Sequence, residues 1–269
     1  MSFAELGLAL LFVFVALSAG MSLAWFVWFR TKNAGWVDVV WTASLGLTGA
    51  VGGFLMPGAS WRHGMIAVLL LVWVLRLGFH IAGRNQKRHT DPRYDKMLKA
   101  RGADATRQMF WLMQKQAWVS APLALALLLA AGVPPAAFRI VDGLGLLIVA
   151  ISIGGEALAD RQLRQFMSTH PAKGVCDVGL WSWSRHPNYF FQWLSWCGYA
   201  LIALDFSGAY PWGWIALAAP LCMYWLLTSV SGIPPLEEHM LVTRGASYRD
   251  YQRHTNAFFL GPPKAKASS

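Results

Sequence analysis

Four groups of polar residues sit inside an otherwise apolar chain, each with a spacing that can do chemistry. Glu156, Asp160 and Arg164 recur at every fourth position with Arg161 beside them, which on a helix places two carboxylates and a guanidinium on one face. Carboxylates accept from ribose hydroxyls and arginines bind phosphates, so this set suits a nucleotide. The run Ser184-Arg185-His186-Pro187-Asn188-Tyr189 predicts a helix opening at Pro187, whose missing N–H costs nothing in a first turn. Free N–H groups there, with Arg185 and His186 adjacent, make an anion site. Asn188, Gln192, Ser195 and Tyr199 extend it as a polar stripe.

Arg76, His80 and Arg84 also recur at every fourth position, one turn after Trp73, and form a cationic stripe able to hold a phosphate or a carbonyl oxygen. Asp38 and Trp41 set an acid and an indole N–H one turn apart. After the last apolar block come Glu237, Glu238, Arg244, Tyr248 and Tyr251, either a cap over the helix-end site or a solvated amphipathic tail. The other sets have structural alternatives too. Asp38 can pair at the interface with Lys32 or Arg30, Arg76 can pair with Asp38, and the charges from Glu156 to Arg164 can pair among themselves.

The elements that must position these residues follow from composition. Of 269 residues 56% are hydrophobic and 13% charged, which excludes disorder and points to an integral membrane protein. Apolar blocks bounded by charge, Gly and Pro predict seven spanning helices at 3–29, 36–55, 63–83, 109–131, 138–160, 188–206 and 210–230. The expected fold is therefore an all-α seven-transmembrane bundle, one domain over 1–269, with cytoplasmic loops capping a cofactor cavity. The first block opens with Glu5 and has no small-residue cleavage site, so a retained helix is expected. Of the 23 Lys and Arg, 19 fall on one side of these spans, and only Arg62 and Arg139 on the other. This places the N-terminus outside and the long loops and C-terminus in the cytoplasm. The net charge of +10 is thus topological and no nucleic-acid partner is expected. Three cysteines, Cys176, Cys197 and Cys222, form no CxxC pair, and no metal is expected.

Residues 179–189, Gly-Leu-Trp-Ser-Trp-Ser-Arg-His-Pro-Asn-Tyr, followed by Trp196-Cys197-Gly198-Tyr199-Ala200-Leu201, resemble the C-terminal region of the steroid 5-alpha-reductase family and its bacterial members. Asp160-Arg161-Gln162-Leu163-Arg164, Asp91-Pro92-Arg93-Tyr94 and the closing pattern Glu237-Glu238, Arg244-Gly245, Tyr248, Tyr251, Phe258 add to the resemblance. It covers residues 150–262 closely and the first 110 loosely. It implies a seven-helix reductase that uses NADPH to reduce a double bond conjugated to a ketone, as in a 3-oxo-4-ene steroid, with the lipid substrate entering from the bilayer. It also implies that Arg161 and Arg164 hold phosphates and that Asn188 lies near the nicotinamide. Family members carry a Gln-Glu pair in the second span and a Tyr in the third. Here those stretches hold Trp36-Val37-Asp38-Val39-Val40-Trp41 and Arg76 with His80.

Hydride addition to the β carbon of an enone builds charge on the carbonyl oxygen, so a donor must wait there and the α carbon must then take a proton. Asp38, Trp41, Arg76 and His80 are the candidates for that end. Arg84, Glu156, Asp160, Arg161, Arg164, Ser184, Arg185, His186, Asn188, Tyr189, Glu237, Glu238, Arg244, Tyr248 and Tyr251 are the candidates for binding NADPH. The Arg-His-Pro-Asn-Tyr and Glu-Glu motifs are shared with membrane methyltransferases that use S-adenosylmethionine, which stand as the first alternative. A non-catalytic lipid transporter is the second. Besides the enone and membrane lipid no obligatory partner is expected, and short loops lean toward a bacterial inner membrane.

Overall fold

The computed structural model describes residues 1–85, 104–134, 137–170 and 174–263, and among them every regular element is a helix. These are α1 Phe3–Thr31, α2 Gly35–Leu55, α3 Ser60–Asn85, α4 Ala105–Val119, α5 Ala121–Ala131, α6 Ile140–Thr169, α7 Leu180–Trp183 and α8 Pro187–Ala203. A 3₁₀ turn Pro211–Leu217, α9 Ala218–Trp225, a π turn Leu226–Val230, α10 Ile233–Arg244 and α11 Ala246–His254 follow. Among the described residues six helices, counting α4 with α5 and Pro211–Arg244 as continuous, are long and apolar enough to cross a membrane. Of the seven expected spans, α8 is the one outside that set. Its 17 residues rise about 25 Å, short of the roughly 30 Å hydrocarbon core.

The span expected at 210–230 is divided into the 3₁₀ turn, α9 and the π turn, and two other expected helices differ for local reasons. The span expected at 109–131 breaks at Ser120, where Pro122 removes a donor and the Ser120 N–H turns back to both Gln116 and Ala117. The span expected to end at 160 runs on to Thr169, because nothing from Arg161 to Thr169 is Gly or Pro and the charged side chains there keep helical propensity.

The chain divides into two compact units, Met1–Gly143 with Tyr199–Ala219 and Leu144–Gly198 with Pro220–Ser269. In the first, α5 is the centre, with Leu123 to Ala131 all buried. The α2–α3 pair is close: a Cβ at Gly46 would lie 2.2 Å from Val74, and one at Gly49 would lie 3.0 Å from Leu70. One polar node ties this unit together. Arg62, fully buried, donates Nη1 and Nη2 to the two Asp142 oxygens at 2.7 and 2.8 Å. Arg139 donates to the same carboxylate at 2.7 Å and to the carbonyls of Ile202 and Leu204 at 2.6 and 2.8 Å. The two cations on the sparsely charged side of the sequence are thus both consumed by Asp142.

Candidate functional site

The second unit gathers most of the residues whose spacing suggested a cofactor. It is organised by α6 and α8, which pack antiparallel: a Cβ at Gly155 would lie 2.3 Å from the Phe191 ring, and one at Gly198 would lie 2.7 Å from Val149. Carried one turn further, that register sets Asp160 level with the first turn of α8, at Pro187 and Asn188. Glu156 and Asp160 are buried, whereas Arg161 and Arg164 are exposed. Asn188 and Tyr189 are half-buried. Asp160 and Asn188 therefore stand at one level along the two helices, with Glu156, Arg161 and Arg164 within about a turn of it on α6.

The loop before α8 is fixed to α6 by two residues whose part could not be read from spacing. Gln162 accepts the Leu180 N–H at 3.0 Å, and Gly179, at φ +59°, lets the backbone pass against its amide. Trp181 donates Nε1 to the Ala159 carbonyl at 2.9 Å. A glutamine inside a charged run and a tryptophan among fifteen give no periodic signal; only the loop's path makes them visible.

The motif Ser184-Arg185-His186 differs from expectation. Arg185 donates Nε and Nη2 to Glu237 at 2.7 and 3.2 Å and Nη1 to the carbonyls of Thr255 and Gln252 at 2.6 and 3.3 Å. Its fork is aimed at the C-terminal segment, and Glu237 neutralises it, so it is not placed as a phosphate ligand. Glu237 is equally occupied, since it also takes His186 Nε2 at 3.0 Å and Gln252 Nε2 at 2.7 Å. A carboxylate only accepts, so His186 carries its proton on Nε2. Burial lowers the pKa of His186, against the pull of Glu237, and its ring stacks on Tyr189 at 5.4 Å. Ser184 donates to the Phe258 carbonyl at 2.8 Å and accepts the His186 N–H. Tyr251 donates to the Trp181 carbonyl. Buried Tyr248 lies against Glu237 and Arg185; desolvation pushes the pKa of both tyrosines up. Ser184, Arg185, His186, Glu237, Tyr248 and Tyr251 thus form a clasp between loop and tail. Glu238 is exposed and Arg244 ends α10 half-buried.

Beside the π turn an open groove of about 480 Å³ is lined by Tyr224, Thr228, Ile233 and residues 256–261. Its floor belongs to an aromatic cluster in which Trp193, Tyr224, Phe258 and Phe259 meet at ring separations of 5.2–6.2 Å.

The residues expected at the substrate end lie in the first unit. Asp38 is half-buried in the first turn of α2. The α2–α3 register sets it nearer to the level of His80 than of Arg76, both half-buried on α3. Trp41 directs its one N–H at Ser120 Oγ, 2.8 Å away, which removes it as a free carbonyl donor. Lys32 lies over the rings of Phe29 and Trp28 at 4.4 and 5.3 Å. Arg84 stands in the last turn of α3 with its side chain outside the described residues, where the Asp91–Tyr94 motif also lies.

A many-helix chain with spans long enough for a bilayer and a polar cluster built around one helix start defines the class. Residues 24–255 match the family model described as "Protein of unknown function (DUF1295)", and the chain belongs to that family. No curated protein and no solved structure matches it.

Proposed function

We propose that this chain is a multi-pass membrane reductase that uses NADPH to saturate the double bond of an enone lipid, a 3-oxo-4-ene steroid being the reference substrate. The observation that carries the reading is the cluster at the α6–α8 end. Buried Glu156 and Asp160 are level with, or one turn from, Asn188, and exposed Arg161 and Arg164 follow within a turn. Buried carboxylates for ribose hydroxyls and exposed guanidinia for phosphates fit a dinucleotide better than a cofactor without phosphates. Arg161 and Arg164 would hold phosphates, Glu156 and Asp160 would accept ribose hydroxyls, and the Asn188 amide would orient the nicotinamide. The cofactor supplies a hydride. His80 or Arg76 would donate to the substrate carbonyl as charge develops on its oxygen, and Asp38 is the acid assigned to the same end. In this reading α8 is a seventh crossing, cytoplasmic segments cover a cofactor cavity, the N-terminus is outside, and the membrane is a bacterial inner membrane.

The clasp bears on the methyltransferase alternative. Arg185, His186 and Glu237 bind one another, so the motif shared with methyltransferases carries no cofactor preference, and the choice falls to Arg161 and Arg164. Parallel titrations of the purified protein with NADPH and with S-adenosylmethionine test this. Saturable binding of NADPH alone is expected; binding of S-adenosylmethionine alone would replace the reductase by a methyltransferase.

A further inference from the structure

We infer that Glu237 is a positioning residue: one carboxylate that joins α10 and α11 to the loop before α8 and so fixes the first turn of α8, with Asn188 in it. The inference rests on the NADPH reading for what that turn holds, and on the geometry alone for the clasp. Glu237 takes four donors on two oxygens, Arg185 Nε and His186 Nε2 on Oε1 and Arg185 Nη2 and Gln252 Nε2 on Oε2, all between 2.7 and 3.2 Å. That fills a carboxylate's capacity of about four lone-pair sites, so Glu237 reaches no ligand directly.

Its partners reach outward in both directions. Arg185 and His186 are the two residues immediately before Pro187, and the His186 carbonyl accepts the N–H groups of Tyr189 and Phe190, which starts the helix. On the other side, Arg185 holds the carbonyls of Gln252 and Thr255, and its own N–H donates to the Asn256 carbonyl at 2.8 Å. Gly261 N–H closes on the Trp183 carbonyl beyond it. A charge removed at Glu237 leaves Arg185 half-buried without a counter-charge, which is costly in a poorly solvated site. The loop must then shift to rehydrate it, and the first turn of α8 is attached to that loop.

The test compares wild type with Glu237→Gln, which keeps shape and loses charge, by NADPH titration and by hydrogen exchange over 181–191 and 250–258. The expected result is a rise in NADPH Kd of about tenfold or more with stoichiometry unchanged, together with faster exchange in both segments. General misfolding would instead lower the stoichiometry at unchanged Kd and overturn the inference. A weaker Kd with exchange unchanged would also overturn it, because Glu237 would then touch the cofactor itself. If wild type binds no NADPH, the cofactor reading fails by itself. The paired rise in exchange then still upholds the positioning role, and its absence ends it. Should Glu237→Gln not fold, Gln252→Met removes a single donor from the same carboxylate. It is expected to move Kd and exchange in the same direction by a smaller factor, and no movement in either would contradict the clasp.

Discussion

Asn188 and Arg164 carry the cofactor assignment residue by residue. Hydrogen bonds to charged groups contribute about 1.5–3 kcal/mol and neutral ones about 0.5–1.5 kcal/mol, so Ala is expected to weaken NADPH binding roughly ten- to hundredfold at Arg164 and about two- to tenfold at Asn188, with the thermal midpoint of the detergent-solubilised protein unchanged. Fluorescence titration measures the first and a melting curve the second. Asp38→Ala is expected to slow turnover about 10²–10³-fold, as loss of a group acting on the developing charge does, while NADPH affinity is retained. Normal turnover would leave Asp38 as an acid favoured by the α2 dipole. His186 gives a pH signature. Burial holds its folded pKa below the ordinary 6.5, although Glu237 pulls the other way. On acidification the unfolded chain takes up this proton first, so stability is full above about pH 6.5 and is lost as pH falls below it toward the folded value. Melting temperature against pH in wild type and His186→Gln measures this; identical slopes would contradict it.

Helices were legible in the sequence where apolar blocks had clear ends. Residues 3–29 and 36–55 were expected, and α1 and α2 run 3–31 and 35–55. What spacing could not show were places where backbone chemistry overrides pattern, such as the break at Ser120 and the 3₁₀-to-π passage after Pro211. Partners far along the chain were equally hidden. Arg185 sits in a motif that reads as an anion site, yet its partner Glu237 lies 52 residues away. The Arg62–Asp142 pair, 80 residues apart, is invisible to local pattern for the same reason. Arg62→Leu is expected to destabilise the protein by roughly 3–5 kcal/mol, because a buried carboxylate loses its main counter-charge. Arg62→Leu with Asp142→Leu should recover only part of that loss, because Arg139, 19% exposed, then loses the same carboxylate. Denaturation of both variants decides it, and equal losses would mean that the pair holds geometry which apolar packing cannot replace.

For the whole molecule, composition foretold an all-helical chain with bilayer-length spans, because hydropathy over some twenty residues survives any error in helix ends. The division into two compact units was not legible, since α6 and α8 each contribute residues to both. The candidate site was legible in part. The α6–α8 register sets Asp160 level with Asn188, while six of the fifteen expected ligands, Ser184, Arg185, His186, Glu237, Tyr248 and Tyr251, form the clasp between loop and tail. The account therefore stands on the chemistry assigned to that remaining cluster. The most direct measurement is incubation of the purified protein with NADPH and a 3-oxo-4-ene steroid, following loss of nicotinamide absorbance and product mass together. The account predicts stoichiometric oxidation of NADPH with a product heavier by two hydrogens. The absence of both NADPH oxidation and saturable NADPH binding would contradict it.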